Sequence, residues 1–114
     1  MNSQDFHELL LRRHSIRKYT EQQLNPDDVK TILEAALLAP SSKSKRPWQF
    51  IVVDNPEMLQ QLAKAKKIAA HPIAGATMAI VVISNPEESD IFIEDTSIAA
   101  VFMQLQAEAL GIGS

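Results

Sequence analysis

Residues 98–103 of this 114-residue chain, Ile-Ala-Ala-Val-Phe-Met, are all apolar and lie in the middle of a segment with helical features. The predicted helix runs from about Ser89 or Asp90 to Leu110, and Gly111 suits the position just after a helix end. A helix that is apolar all round must be buried all round. Either a second subunit covers one of its faces, or it is the central helix of a monomer.

Three further helices are predicted before it. The first covers about Ser3 to Arg13, with Ser3 as the cap and an apolar stripe that includes Leu9. The second starts at the cap Asn25, with Pro26 in the first helical position, and ends before Pro40. Its expected buried stripe contains Val29, Ile32, Leu33, Ala36 and Leu37. The third starts at Asn55-Pro56-Glu57 and reaches about Ile68, with Leu59 and Leu62 inside.

Two strands are predicted. Trp48–Val53 has the β-branched and aromatic content of a strand, and residues 77–84 are apolar without alternation, as expected for a strand covered on both faces. Two strands are too few for a stable isolated sheet. A helix followed by a Gly-rich turn usually leads into another strand, so we expect this domain, residues 1–114, to be C-terminally incomplete.

Composition excludes several classes of site. The chain has no cysteine, which excludes disulfides and thiol nucleophiles and fits a cytoplasmic protein. A formal net charge of −3 lacks the basic excess expected of a nucleic-acid-binding protein. Neither a membrane span nor a secretory signal is expected, because the longest apolar run is short and the N-terminus is polar. The scattered histidines predict no metal site, and no G-x-G-x-x-G indicates a Rossmann domain.

The first candidate binding motif is R-R-H-S-I-R-K-Y at residues 12–19. Arg13, Ser15 and Arg17 are spaced by two, so in an extended chain their side chains point the same way. Two guanidinium groups and a hydroxyl that face one point suit a phosphate group. In a helix, Ser15 would leave the face that the arginines share. Taken alone, such a basic cluster is more often solvated surface.

The second motif is A-P-S-S-K-S-K-R-P-W-Q-F at residues 39–50. Two prolines stiffen a loop that offers hydroxyls and backbone groups between a helix end and a buried strand. Ligand sites are commonly built on such loops. The alternative is an ordinary connecting loop in which Trp48 anchors the core.

Together, R-x-S-x-R-K-Y followed by A-P-S-S-x-x-x-x-P-W-x-F resembles the nitroreductase family. The Asn25-Pro26 cap, the strand and the long helix ending in A-L-G-I-G-S occur in the matching order, so the resemblance covers essentially the whole chain. It implies an α+β, three-layer fold with a central mixed sheet flanked by helices. It also implies a homodimer with two FMN sites at the subunit interface. The family fold continues beyond residue 114.

The resemblance also implies roles for individual residues. The basic segment binds the FMN phosphate and one flavin edge, and the serine loop packs on the isoalloxazine ring of the site across the interface. The implied cofactor-binding residues are Arg13, His14, Ser15, Arg17, Pro40, Ser41, Ser42 and Ser44. Relatives often have Asn at position 44 and Gln at position 46, where this chain has Ser44 and Arg46. No family motif gives His71 a role.

The function implied by the resemblance is that of an FMN-dependent NAD(P)H oxidoreductase. Flavin performs the chemistry, so no amino acid is expected to be catalytic in itself. Electrons pass from NAD(P)H through flavin to nitroaromatic, quinone or similar acceptors by a ping-pong mechanism. Two alternatives remain from the residues: a non-enzymatic flavin-binding or flavin-delivery protein, and a helical dimerisation module without a cofactor.

Overall fold

The computed structural model describes residues 1–65 and 71–114. Helices and strands alternate along most of this part of the chain, and the α+β class expected from the sequence is confirmed. The elements, in order, are α1 (Ser3–Arg12), α2 (Pro26–Leu37), a 3₁₀ helix (Ser42–Ser44), β1 (Trp48–Val53), α3 (Pro56–Ala63), α4 (His71–Ala74), β2 (Ala79–Ser84) and α5 (Phe92–Ala109).

Side-chain caps fix where the first three long helices begin. The cap of α1 is Asn2, so the prediction of Ser3 was wrong by one residue. Asn2 Oδ1 accepts from the Asp5 N–H at 2.8 Å, and Asp5 Oδ2 accepts from the Asn2 N–H at 2.9 Å. This reciprocal pair needs the acid three residues after the cap, which only Asn2 provides. The predicted caps Asn25 and Asn55 are confirmed, and each contributes about 1 kcal/mol.

The ends of α2 and α3 differ in how well they were predicted. Helix α2 ends at Leu37, before Pro40 as expected, but Leu37 itself is exposed rather than part of the buried stripe. Helix α3 ends at Ala63, with Lys64 as its C-cap, so it is shorter than predicted. The end of the predicted extension, residues 66–68, lies outside the described residues.

Strands β1 and β2 form an antiparallel pair in register from Trp48 opposite Ser84 to Val53 opposite Ala79. The mixed sheet that the resemblance implies is not present in the described part of the chain, because a mixed sheet needs at least three strands and only two are formed there. Phe50 faces the core from β1. Ile51 and Ile83 belong to the opposite face and are exposed, so β2 is not covered on both faces within this chain.

Helix α5 packs against α1, α2 and both strands. One side of it is a buried stripe at four-residue spacing, formed by Asp95, Ala99, Met103 and Ala107. The other side holds Ile93 and Val101, which are 62% and 47% exposed. The prediction that α5 is buried all round is thus wrong for the single chain. The two interpretations of the uncovered side, a second subunit or a central helix of a monomer, stay predictions.

The two ends of α5 are formed differently. The helix begins at Phe92, two to three residues later than predicted, because the Ser89 side chain is hydrogen-bonded to Asp95 instead of capping a longer helix. At the other end, Gly111 has φ +78° and the Ile112 N–H donates to the Ala107 carbonyl at 2.8 Å. This is a Schellman motif, which confirms the predicted role of Gly111.

Candidate functional site

The basic segment, residues 13–19, leaves α1 as an extended chain. Helix α1 ends at Arg12, and Arg13 has extended dihedrals (φ −64°, ψ 131°), so the helical alternative for the segment is wrong. Ile16 and Lys18 line an open cleft on one side of it. Ser15 and Arg17 do not line that cleft.

Contacts on the cleft side hold the basic segment in place. The Ile16 N–H donates to the Ser114 carbonyl at 2.9 Å, and the Tyr19 hydroxyl donates to the Ile16 carbonyl at 2.8 Å. A Cβ atom added to Gly113 would lie only 3.2 Å from Ile16 Cγ1. Residues 113–114 therefore press closely on the backbone that carries Ser15 and Arg17.

The arginines of the segment differ in their partners. Arg12 Nε donates to Glu108 Oε1 at 3.1 Å, which is the one ion pair in the described part of the chain. Arg13 is half-buried and Arg17 is exposed, and neither has a carboxylate partner among residues 1–65 and 71–114. His14 is exposed, and its Nδ1–H donates to the Arg12 carbonyl at 3.1 Å. Two guanidinium groups thus remain for an anionic ligand.

The serine loop, residues 40–46, holds an unusual backbone. Lys43, Ser44 and Arg46 all have positive φ, between 48° and 55°. Each residue other than glycine in this region costs about 1–2 kcal/mol, so the loop stores strain of the kind that concentrates at ligand sites. Asn tolerates this conformation better than most residues, which is a physical reason for Asn to suit position 44.

Hydrogen bonds fix the serine loop at both ends. The Ser42 N–H donates to Asp95 Oδ1 at 3.0 Å, and the Arg46 N–H donates to Ser41 Oγ at 2.9 Å. Ser41 and Ser42 are half-buried, whereas Pro40 and Ser44 are exposed. Trp48, just after the loop, is buried and packs on Phe50 with ring centroids 5.7 Å apart, so its predicted role as a core anchor is confirmed.

Asp95 is a functional candidate that the sequence reasoning missed. It is 1% exposed, and besides Ser42 it accepts from Ser89 Oγ at 2.9 Å through its second carboxylate oxygen. The available signal was its spacing, because Asp95 is four residues before Ala99 on the apolar stripe of α5. An acid on a buried stripe needs compensating hydrogen bonds, and the first turn of the helix adds about 0.3–1 kcal/mol of dipole stabilisation.

The structure keeps the two predicted motifs apart. The serine loop is attached at Asp95, in the first turn of α5, and the basic segment follows Arg12, which pairs with Glu108 near the other end. The separation of 13 positions from Asp95 to Glu108 corresponds to about 20 Å along the helix axis and about 140° around it. The two motifs are therefore attached near opposite ends of α5.

The open cleft beside the basic segment has a volume of about 1070 Å³. None of the eight predicted cofactor-binding residues lines it. Its lining carries Lys18 and Asp28, whose charges cancel, and otherwise consists of apolar side chains, polar groups without charge and backbone. We therefore expect an anion to bind beside Arg13 and Arg17 rather than in this cleft.

Two further classes of site are absent from residues 1–65 and 71–114. No three metal-ligating side chains come together there. No helix of that part of the chain is long and apolar enough to cross a membrane. His71 begins α4, and its side chain lies outside what the structure describes.

Comparison with known proteins identifies relatives along nearly the whole chain. The model of the Nitroreductase family matches residues 10–114. A protein of Archaeoglobus fulgidus, provisionally named NADH dehydrogenase/NAD(P)H nitroreductase, is 39% identical over 110 residues, which is 93% of this chain and 63% of the relative. A second protein with this provisional name, from Methanothermobacter thermautotrophicus, is 34% identical and is matched over 61% of its length.

Solved structures give the same result. The FMN-dependent nitroreductase of Clostridium difficile R20291 superposes with a TM-score of 0.90 at 46% identity, over 92% of this chain and 61% of that one. A provisionally named nitroreductase from Desulfovibrio desulfuricans, solved in complex with FMN, has a TM-score of 0.85 at 30% identity. It is covered over 66% of its length, and 99% of this chain is aligned. The 114 residues thus span roughly three-fifths to two-thirds of these relatives.

Proposed function

We propose, given that this chain belongs to the nitroreductase family, that it forms part of an FMN-dependent NAD(P)H oxidoreductase whose two sites lie between two copies of the chain. The observation that carries the proposal is the separation of the two motifs at opposite ends of α5. Two copies related by a two-fold axis are able to place the arginines of one beside the serine loop of the other.

The residues fit FMN as two half-sites. Arg13 and Arg17 supply charge-assisted donors and Ser15 a hydroxyl, which together match the dianionic phosphate. His14 lies in the same segment. The half-buried hydroxyls of Ser41 and Ser42, flanked by Pro40 and Ser44, offer a firm surface for the flat ring, since the loop is fixed at Asp95. We assign these eight residues to cofactor binding and none to catalysis in itself.

FMN, when bound, supplies the two-electron redox chemistry. The chain's own residues bind and orient it: the arginines neutralise the phosphate, and the serine loop sets the depth and tilt of the ring. We propose NAD(P)H as the electron donor and nitroaromatics, quinones or similar compounds as acceptors, used in turn at one pocket. The relatives' names, which include FMN and NAD(P)H, support this assignment.

The assembly is proposed to be a homodimer that buries the exposed apolar side of α5. Ile93 and Val101 on that side are exposed apolar side chains on the single chain. Such surfaces commonly mark interfaces.

A chain without cysteine also fits a cytoplasmic, reducing environment, in which we place the protein.

The first test is the visible absorption spectrum of the purified protein after incubation with FMN and desalting. We expect a retained flavin band that is lost in the Arg13→Ala/Arg17→Ala variant. The matched control is Lys18→Ala, which removes one charge from the cleft side of the same segment and leaves the band unchanged. A folded wild-type protein that retains no flavin would contradict the assignment.

A second test separates the enzyme from a flavin carrier. Steady-state oxidation of NAD(P)H with a quinone is expected to give parallel double-reciprocal lines, the pattern of a ping-pong mechanism. Retained flavin without turnover would favour the flavin-delivery alternative. Dimers that bind no flavin would favour the helical dimerisation module.

A further inference from the structure

We propose that Asp95 is a positioning residue for the flavin-ring half of the site, a role that rests on the proposed FMN function. Its carboxylate holds the Ser42 backbone, and through it the orientation of the whole serine loop. Asp95 does not touch the cofactor in this proposal. It acts through the loop, which meets the ring.

The geometry of the carboxylate supports this role. Both oxygens are used: Oδ1 accepts from the Ser42 N–H at 3.0 Å, and Oδ2 accepts from the Ser89 hydroxyl at 2.9 Å. Asp95 and Ser89 are each 1% exposed, and among the described residues they are the largest side chains buried to this degree. The bond to Ser42 joins residues 53 positions apart, so it attaches the loop to the most central helix of the fold.

The loop needs such an attachment because its backbone is strained. Ser42 directly precedes Lys43 and Ser44, both with positive φ. Residues in this region persist only where the surroundings hold them. On the far side, the Asn85 N–H donates to the Pro47 carbonyl at 3.2 Å, which fixes the start of β1. Without Asp95, the Ser42 end would lose its only hydrogen-bonded link to α5 among the described residues.

A buried acid is a poor choice for stability alone at this position. Neighbours on the same stripe, Ala99 and Ala107, are small and apolar and fill their places in the core. No cation of the described chain lies within ion-pair distance of Asp95 to offset its burial. Buried ionic groups of this kind are more readily explained by the specific conformation that they impose than by a gain in stability.

The test compares FMN with riboflavin, which has the same ring but no phosphate, by fluorescence titration. The variants are Asp95→Ala, Asp95→Asn and Glu94→Ala. Asn keeps an oxygen that accepts from Ser42 and an amide that donates to Ser89 Oγ. Glu94 is the matched control, since it is an exposed acid in the same helical turn. Arg17→Ala provides a different signature, because Arg17 is assigned to the phosphate, which riboflavin lacks.

We expect Asp95→Ala to lower the affinity for riboflavin and for FMN by the same factor, about tenfold, and to alter the circular dichroism of the bound flavin. Asp95→Asn is expected to stay within about threefold of wild type, and Glu94→Ala to bind both ligands as wild type does. Arg17→Ala is expected to weaken the binding of FMN by a larger factor than the binding of riboflavin, because only FMN carries the phosphate.

Two results would overturn the role of Asp95 alone. One is a folded Asp95→Ala variant with wild-type riboflavin affinity and flavin spectrum. The other is a loss of flavin affinity in Asp95→Ala that accompanies a large fall in melting temperature and is not restored in Asp95→Asn. That result would make the role of the residue merely structural. If wild-type protein binds neither FMN nor riboflavin, the proposed function itself fails, and the role of Asp95 with it.

Discussion

The separation of the half-sites predicts that two differently damaged chains repair one another. One variant, Arg13→Ala/Arg17→Ala, lacks the phosphate half. The other, Ser41→Ala/Ser42→Pro, lacks the loop attachment, since proline has no N–H for Asp95 and alanine has no hydroxyl for Arg46. Ser41, which would precede the new proline, is already extended (φ −139°, ψ 158°), as the residue before a proline prefers to be.

The magnitude follows from the structure and from symmetry. Each arginine lost removes a charge-assisted interaction of about 1.5–3 kcal/mol, so the first variant binds FMN about a hundredfold or more weakly. In a heterodimer of the two variants, one site combines both damaged halves and the other combines both intact halves. We therefore expect about one FMN per heterodimer, compared with about two in the wild-type dimer.

The assay co-expresses the two variants with different affinity tags and purifies the heterodimer through both. Retained flavin is then measured per dimer by absorbance after desalting, with each variant homodimer as the blank. A heterodimer without flavin would refute the reasoning, because it would mean that each site takes both halves from one chain. The wild-type dimer carrying both tags controls for losses during purification.

Three other predictions use local geometry. Gly113→Ala places a Cβ 3.2 Å from Ile16 Cγ1, so we expect FMN affinity, measured by equilibrium dialysis, to fall several-fold as the basic segment shifts. Ser44→Asn suits the positive φ of that position and is expected to raise the melting temperature by a few degrees, about 0.5 kcal/mol. Ile98→Glu/Val101→Glu charges the exposed side of α5 and is expected to give monomers in light scattering.

Each of these has a control and a contrary outcome. Gly111→Ala meets no atom within 4 Å but carries the strain of φ +78°, so it should lower stability while leaving FMN affinity unchanged. Equal FMN affinities of wild type and Gly113→Ala would show that residues 113–114 do not influence the site. A less stable Ser44→Asn protein would mean that packing outweighs backbone preference. The control for dimerisation is Glu94→Gln, a surface change in the first turn of α5 that is expected to leave the dimer intact. A dimeric Ile98→Glu/Val101→Glu variant would contradict the proposed interface.

Features set by neighbouring residues could be predicted from the sequence. The caps Asn25 and Asn55, each followed by proline, and the glycine after α5 depend only on local backbone chemistry. The extent of β1 follows from its β-branched and aromatic run. The cap of α1 was misplaced because two adjacent residues, Asn2 and Ser3, are both good caps, and the choice rests on Asp5.

Features set by distant contacts could not be predicted. Strand direction depends on the path of the chain between β1 and β2, which apolar content does not encode. The exposure of Ile93 and Val101 depends on what does or does not pack against α5. The attachment of Ser42 to Asp95 joins residues 53 positions apart, and no local sequence pattern indicates this contact. The basic segment and the serine loop were recognisable as motifs, but their separation was visible only in the fold.

The position of both half-sites on α5 also constrains how this protein is able to evolve. Inserting or deleting one residue between Asp95 and Glu108 would rotate one end of the helix against the other by about 100° and shift it by 1.5 Å. Either the serine loop or the arginines would then lose their alignment, in both sites of a dimer at once. We expect length changes among relatives to accumulate in surface loops, while the number of residues in this interval stays fixed.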